Sequence, residues 1–190
     1  MQEPSTRSGA TRLKRPVALV GMMGSGKTAI GKALALRLGV PFHDSDAAIE
    51  EAAQATIAEI FARDGEAFFR DREAAVIARL LAGPPGILST GGGAYLAERN
   101  RKAISAAGVA LWLDADLPTL WDRVRHKSTR PLLATENPRQ TLAELEAARR
   151  PIYALAELRV TSAPRASIDE TTGKALKLLK SRPDILESLQ

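Results

Sequence analysis

The residues GMMGSGKT at 21–28 concentrate the most chemistry in the sequence, because they match the spacing GxxxxGK[ST]. Gly21, Gly24 and Gly26 let a backbone turn tightly and bring its N–H groups into one concavity, where an anion is held without interference from side chains. Lys27 at the fixed offset reaches the outer phosphates of a nucleoside triphosphate, and the Thr28 hydroxyl joins a magnesium shell. Gly24, Ser25, Gly26, Lys27, Thr28 and Ala29 are therefore expected to bind a nucleotide. The next cluster is DSD at 44–46. If the backbone is extended there, Asp44 and Asp46 share one face, so one can serve a metal and the other orient an acceptor hydroxyl. Asp46 can equally cap the helix that follows it.

These groups need a scaffold, and the hydrophobic pattern indicates one. PVALVG (16–21) is a short apolar run ending in glycine, as expected of a buried strand entering a tight turn. Lys27 to Leu38 reads as an amphipathic helix closed by Gly39. Further strands are expected at 41–43, 87–90, 109–113 and 158–161. Helices are expected over 47–62 in two segments, then 66–81, 97–106, 117–124, 141–149 and 168–179. Alternation of this kind predicts a five-stranded parallel sheet with helices on both faces, a three-layer α/β/α domain in which strand ends line the ligand crevice. HKSTRPLLATENPRQ, with two prolines, reads as an exposed loop.

Composition narrows the classes. The chain has no cysteine and two histidines, His43 and His126, so disulfides and thiolate zinc sites are excluded and a catalytic metal needs oxygen ligands. A net charge of +5 favours anionic partners, yet aromatics are only 4% and basic residues are scattered, which argues against nucleic acid. No run of twenty apolar residues occurs, so no membrane span is expected. Residues 1–15 read as a disordered basic tail, 16–182 as one globular domain and 183–190 as a C-terminal tail. A cytoplasmic monomer is the expectation.

With GMMGSGKT, DSD, FRDRE (69–73), GGG (91–93), RPLL (130–133) and RRPIY (149–153) in this order, the chain resembles the shikimate kinase family over roughly residues 16–180. The resemblance implies a P-loop NTPase-like fold close to the nucleoside monophosphate kinases, with a mobile lid at about 126–139. It implies ATP with Mg2+ and transfer of the γ-phosphoryl group to the 3-hydroxyl of shikimate. Asp46, Arg70, Gly91, Gly92, Gly93 and Arg149 then contact the acceptor, and two guanidinium groups suit its carboxylate. Lys27, Asp46 and Arg130 take catalytic roles. Thr28 and Asp44 serve the metal, with Ser89 confined to a water-mediated contact. Arg123 or Arg125 packs on adenine, Arg165 borders its other side, and Glu73 holds Arg70. The glycine triplet can instead be a plain turn, and Trp112 reads as core. The alternatives are another small-molecule kinase, such as a gluconate kinase, and a silent nucleotide-binding regulator.

Overall fold

The computed structural model describes residues 11–126, 131–162 and 165–189. Its central sheet is parallel throughout and has the strand order β3-β4-β2-β5-β6. These strands are Val17–Val20 (β2), Phe42–Asp44 (β3), Ile87–Ser89 (β4), Val109–Ala115 (β5) and Leu158–Ser162 (β6). A strand before them, Thr11–Leu13 (β1), stands outside this sheet. Helices are Lys27–Leu38 (α1), Ser45–Ala53 (α2), Ile57–Leu81 (α3), Glu98–Ala107 (α4), Leu117–Val124 (α5), Pro138–Tyr153 (α6) and Ile168–Lys180 (α7).

Strand alternation divides the core. Ala18, Val20, Ala110 and Trp112 point into one apolar cluster with Ile77, Ile104, Leu120, Leu142 and Tyr153 from α3, α4, α5 and α6. Val17, Leu19, Leu111 and Leu113 point into the other, filled by Ile30 and Leu34 of α1 and Ala175 and Leu179 of α7. Each fully buried leucine or isoleucine contributes about 1.5–3 kcal/mol, so the two clusters hold the sheet rigid between its helical layers. The strand ends that carry function inherit that rigidity.

Local chemistry sets the helix limits. Gly39 ends α1 in the left-handed region, at φ 63°. Thr56 and Glu59 form a reciprocal capping box at the start of α3, and Gly65, at φ 82°, kinks that helix between its two expected segments. The start of α6 differs from expectation by three residues. Pro138 reads as a loop residue, but it occupies the first turn, where its missing N–H costs nothing, and Asn137 caps the helix by accepting from the Gln140 N–H.

The tail assignments need correction at both ends. β1 pairs antiparallel with Leu186–Ser188 (β7), in register Leu13 with Leu186. Leu13, Ile185 and Leu186 are buried against α1 and α7. Residues 11–15 and 183–189 therefore extend the domain rather than hang from it, because their apolar side chains close the bottom of the second cluster.

Candidate active site

The loop between β2 and α1 is shaped by backbone that only glycine adopts easily: Gly24 lies at φ 81° and Gly26 at φ 94°. Lys27, almost fully buried, folds back so that Nζ donates to the carbonyls of Gly21 at 2.8 Å and Met22 at 2.9 Å. The ammonium thereby braces the loop and brings positive charge to its rim. A cleft of about 420 Å³ opens there, lined by the loop residues Gly24, Gly26, Lys27, Thr28 and Ala29. Asp44, Asp46, Ser89, Gly91, Gly92 and Arg123 complete its wall. Of the nucleotide-loop residues expected from sequence, Ser25 is buried behind this surface.

Asp44 and Asp46 divide their work differently from the two expectations. Asp44 is the cap of α2: its Oδ1 accepts from the N–H groups of Asp46 at 3.0 Å and Ala47 at 3.4 Å. Its Oδ2 accepts from the Thr28 hydroxyl at 3.0 Å, and Ser89 Oγ lies 3.4 Å from the same hydroxyl. Asp46 is thus released from capping and stands in the first turn of α2, where the helix N-terminus favours a carboxylate. Thr28, Asp44 and Ser89 form an all-oxygen donor set. Among the described residues no cluster of three or more His, Cys, Asp or Glu could cage a metal. The oxygen donors of Thr28, Asp44 and Ser89 suit magnesium, which keeps waters and phosphate oxygens in its shell.

The glycine triplet is a contact surface as well as a turn. A Cβ at Gly91 would lie 2.5 Å from Asp46 Oδ1, and one at Gly93 would lie 2.9 Å from Arg70 Nη2. A side chain at either position would have to push aside the Asp46 carboxylate or the Arg70 guanidinium. Arg149 Nη1 sits 4.0 Å from a Cβ position at Gly92 and is buried with no hydrogen-bond partner at ordinary distance, the Tyr153 hydroxyl being the polar group its guanidinium faces. The Tyr153 hydroxyl donates to the Gly92 carbonyl at 2.5 Å, and burial raises its pKa, which keeps it a donor. Two guanidinium groups therefore flank one short backbone segment beside the phosphate loop. The unmatched Arg149 donor is costly unless an anion meets it.

Arg70 is aimed by acids on its own helix: Nη1 donates to Glu73 at 3.0 Å, while Nε and Nη2 reach Glu66 at 3.3 Å. Glu73 is 1% exposed. Burial pushes its carboxyl above the ordinary 4.5, outweighing the Arg70 guanidinium, and the Asp46 carboxylate adds to the rise. The folded chain thus holds this proton more tightly than the unfolded chain. The contribution to stability is full below pH 4.5 and is lost as pH rises through the raised value. Glu73→Gln should remove that loss. Thermal unfolding followed by circular dichroism should show its melting temperature gaining on the parent as pH is raised from 4.5 to neutrality. Parallel curves at every pH would refute the assignment.

Arg123 donates to the Gly24 carbonyl at 3.1 Å and lines the cleft, whereas Arg125 is exposed and faces Asp122 at 3.5 Å. Of the two, Arg123, which the motif order favours over Arg125, is the one at the cleft. Arg165 is exposed, with φ at 62°, and is not among the cleft-lining residues. Arg130 lies outside the described residues, as does most of RPLL's approach at 127–130. Beyond these, Asp114 at the end of β5 is a buried carboxylate that sequence reasoning missed. A charged residue inside the apolar run VALWLDA is itself the signal, since such a group is buried only when paired.

A phosphate cradle at the strand ends of a parallel sheet, an oxygen donor set and two arginines beside the glycine triplet define a P-loop phosphotransferase with a small anionic acceptor. The family model described as shikimate kinase matches residues 23–180. A shikimate kinase of Ruegeria pomeroyi is 60% identical over 179 residues, covering 94% of this chain and 92% of that one. One of Cereibacter sphaeroides is 58% identical over 177 residues, with coverage of 93% and 88%. The solved shikimate kinase of Acinetobacter baumannii in complex with shikimate superposes with a TM-score of 0.82 at 38% identity, covering 88% of this chain and 93% of that one. The chain belongs to the shikimate kinase family: it is an ATP-dependent kinase of shikimate.

Proposed function

We propose that the cleft transfers the γ-phosphoryl group of ATP directly to the 3-hydroxyl of shikimate, with roles divided as follows. The loop amides and Lys27 hold the β- and γ-phosphates, and Arg123 borders the adenine. Arg70 and Arg149 take the shikimate carboxylate against Gly91, Gly92 and Gly93. This fixes the ring so that its hydroxyl end meets Asp46. Asp46 accepts the proton of the attacking hydroxyl as its oxygen bonds to the γ-phosphorus and the bond to ADP breaks. Thr28 and Asp44 would hold Mg2+, which when bound offsets the charge of the phosphate oxygens. Arg130, outside the described residues, is assigned added charge at the same phosphoryl group; Arg165, which is not among the cleft-lining residues, is given no contact with the base.

The observation that carries this reading is the buried, unmatched Nη1 of Arg149 beside Gly92, with Arg70 against the next glycine. It gives the pocket a built-in demand for a carboxylate. We place the protein in the cytoplasm as a monomer, and its few aromatics and scattered basic residues argue against a nucleic-acid partner. Among the described residues no helix is long and apolar enough to cross a membrane.

Release of ADP in the presence of Mg2+ should depend on added shikimate, and shikimate-independent or absent turnover by folded protein removes the acceptor assignment. Arg70→Ala should raise KM for shikimate roughly 10–100-fold, the worth of a charge-assisted bond. KM for ATP should stay within about twofold. An equal rise for both substrates would mean that Arg70 supports the fold and does not read the acceptor.

A further inference from the structure

Helix α6 ends with two successive arginines in different surroundings. Arg149 borders the acceptor pocket, with one buried nitrogen unmatched. Arg150 turns towards the sheet, where Nη2 donates to Asp114 Oδ1 at 2.8 Å and Nε to Glu146 at 2.7 Å. The Asp114 side chain, 5% exposed, also accepts from Arg159 Nε of β6 at 2.9 Å. Both guanidinium groups lie over the Trp112 ring, at 5.2 Å for Arg150 and 4.7 Å for Arg159. Like Arg149 itself, these residues do not line the cleft, and none of the roles assigned above falls on Asp114, Arg150, Arg159 or Trp112.

The next residue explains why such an anchor is useful. Pro151 lies inside α6. Having no N–H, it leaves the Ala147 carbonyl without its usual partner, so one bond that sets the rotation of the last turn is missing. Two side chains make up for it. Tyr153, one turn beyond Arg149, ties the turn to the Gly92 carbonyl, and Arg150 ties it to β5 through Asp114. Charge sorting acts in the same direction. Asp114 and Glu146 neutralise Arg150 and Arg159, which leaves Arg149 as the guanidinium with an open donor for an incoming anion.

We infer that Asp114 and Arg150 are positioning residues for the reaction: the ion pair of half-exposed Arg150 with buried Asp114 fixes the last turn of α6 and thereby aims Arg149, rather than Arg150, at the carboxylate of the acceptor. The inference rests on the reading that Arg149 takes that carboxylate.

The test is a double-mutant cycle read by steady-state ADP release. Arg150 is partly exposed, so Arg150→Gln leaves the fold intact more safely than a change at Asp114. It should raise KM for shikimate roughly tenfold, the worth of one misplaced charged hydrogen bond, with KM for ATP within about twofold. Arg149→Ala should raise the same constant. In that background Arg150→Gln should add nothing, because two residues acting through one contact are not additive. Asp114→Asn, if it folds, should reproduce the shikimate-specific rise. If Arg149→Ala leaves KM unchanged, the reading of the acceptor site and the inference fall together. If Arg149→Ala acts but Arg150→Gln is silent, raises both constants alike, or adds fully to Arg149→Ala, the inference alone is overturned.

Discussion

Lys27→Met should reduce kcat for phosphorylation of shikimate by about 10³-fold or more, while the folded protein keeps a cooperative thermal transition. Methionine preserves most of the buried stem, so the substitution separates charge from packing. Two losses combine. The ammonium spans the loop by donating to the carbonyls of Gly21 and Met22, so its removal loosens the cradle. It is also the charge nearest the phosphates. A single preorganised donor at a developing charge is worth 10²–10³ or more in kcat, and phosphoryl transfer depends almost wholly on such electrostatic placement. Single-turnover phosphorylation at saturating ATP checks the chemical step without interference from product release. A variant that keeps more than about a tenth of the parent rate would show that the loop amides suffice and that the ammonium is a structural brace.

The parts of the molecule that could be foreseen are those whose signals are local. Strand β2, the glycine loop and α1 are contiguous, and each boundary has its own chemistry: an all-apolar run, glycines at fixed offsets, and Gly39 to stop the helix. The pairing of β1 with β7 joins residues at opposite ends of the chain, and TRL and LES are too short and polar to show a period of two. DSD is nearly symmetric as a sequence. Its two carboxylates become distinct only because the helix begins at Ser45, two residues earlier than its apolar pattern suggests, and that shift hands the cap to Asp44. Arg123, which the motif order favours, is told from Arg125 outright only when helix phase turns it towards Gly24. The network around Asp114 joins residues 36 and 45 positions apart. No spacing rule covers such a network; only the oddity of an acid within a buried strand points to it. Trp112, expected as core, is core and also the platform for two guanidinium groups.

That division between the two aspartates makes Asp46 the sharpest place to separate chemistry from structure. Asp46→Asn should lower kcat by roughly 10²–10⁴, the usual worth of a positioned proton acceptor. The amide keeps the shape of the carboxylate beside Gly91, where there is no room for a larger group. KM for shikimate should accordingly move only several-fold, since the carboxylate-reading arginines are untouched. Stability should change little. The capping bonds at the head of α2 are made by Asp44, so what Asp46 adds to the helix itself is its charge near the N-terminus, about 0.3–1 kcal/mol. Its charge also bears on Glu73, whose raised carboxyl pKa is partly due to Asp46. Neutralising Asp46 should therefore relieve that neighbour and offset part of the helix term. The decisive comparison is kcat against melting temperature measured on the same preparation. A variant that turns over within about tenfold of the parent but unfolds at distinctly lower temperature would make Asp46 a structural residue, and the attacking hydroxyl would need another proton acceptor.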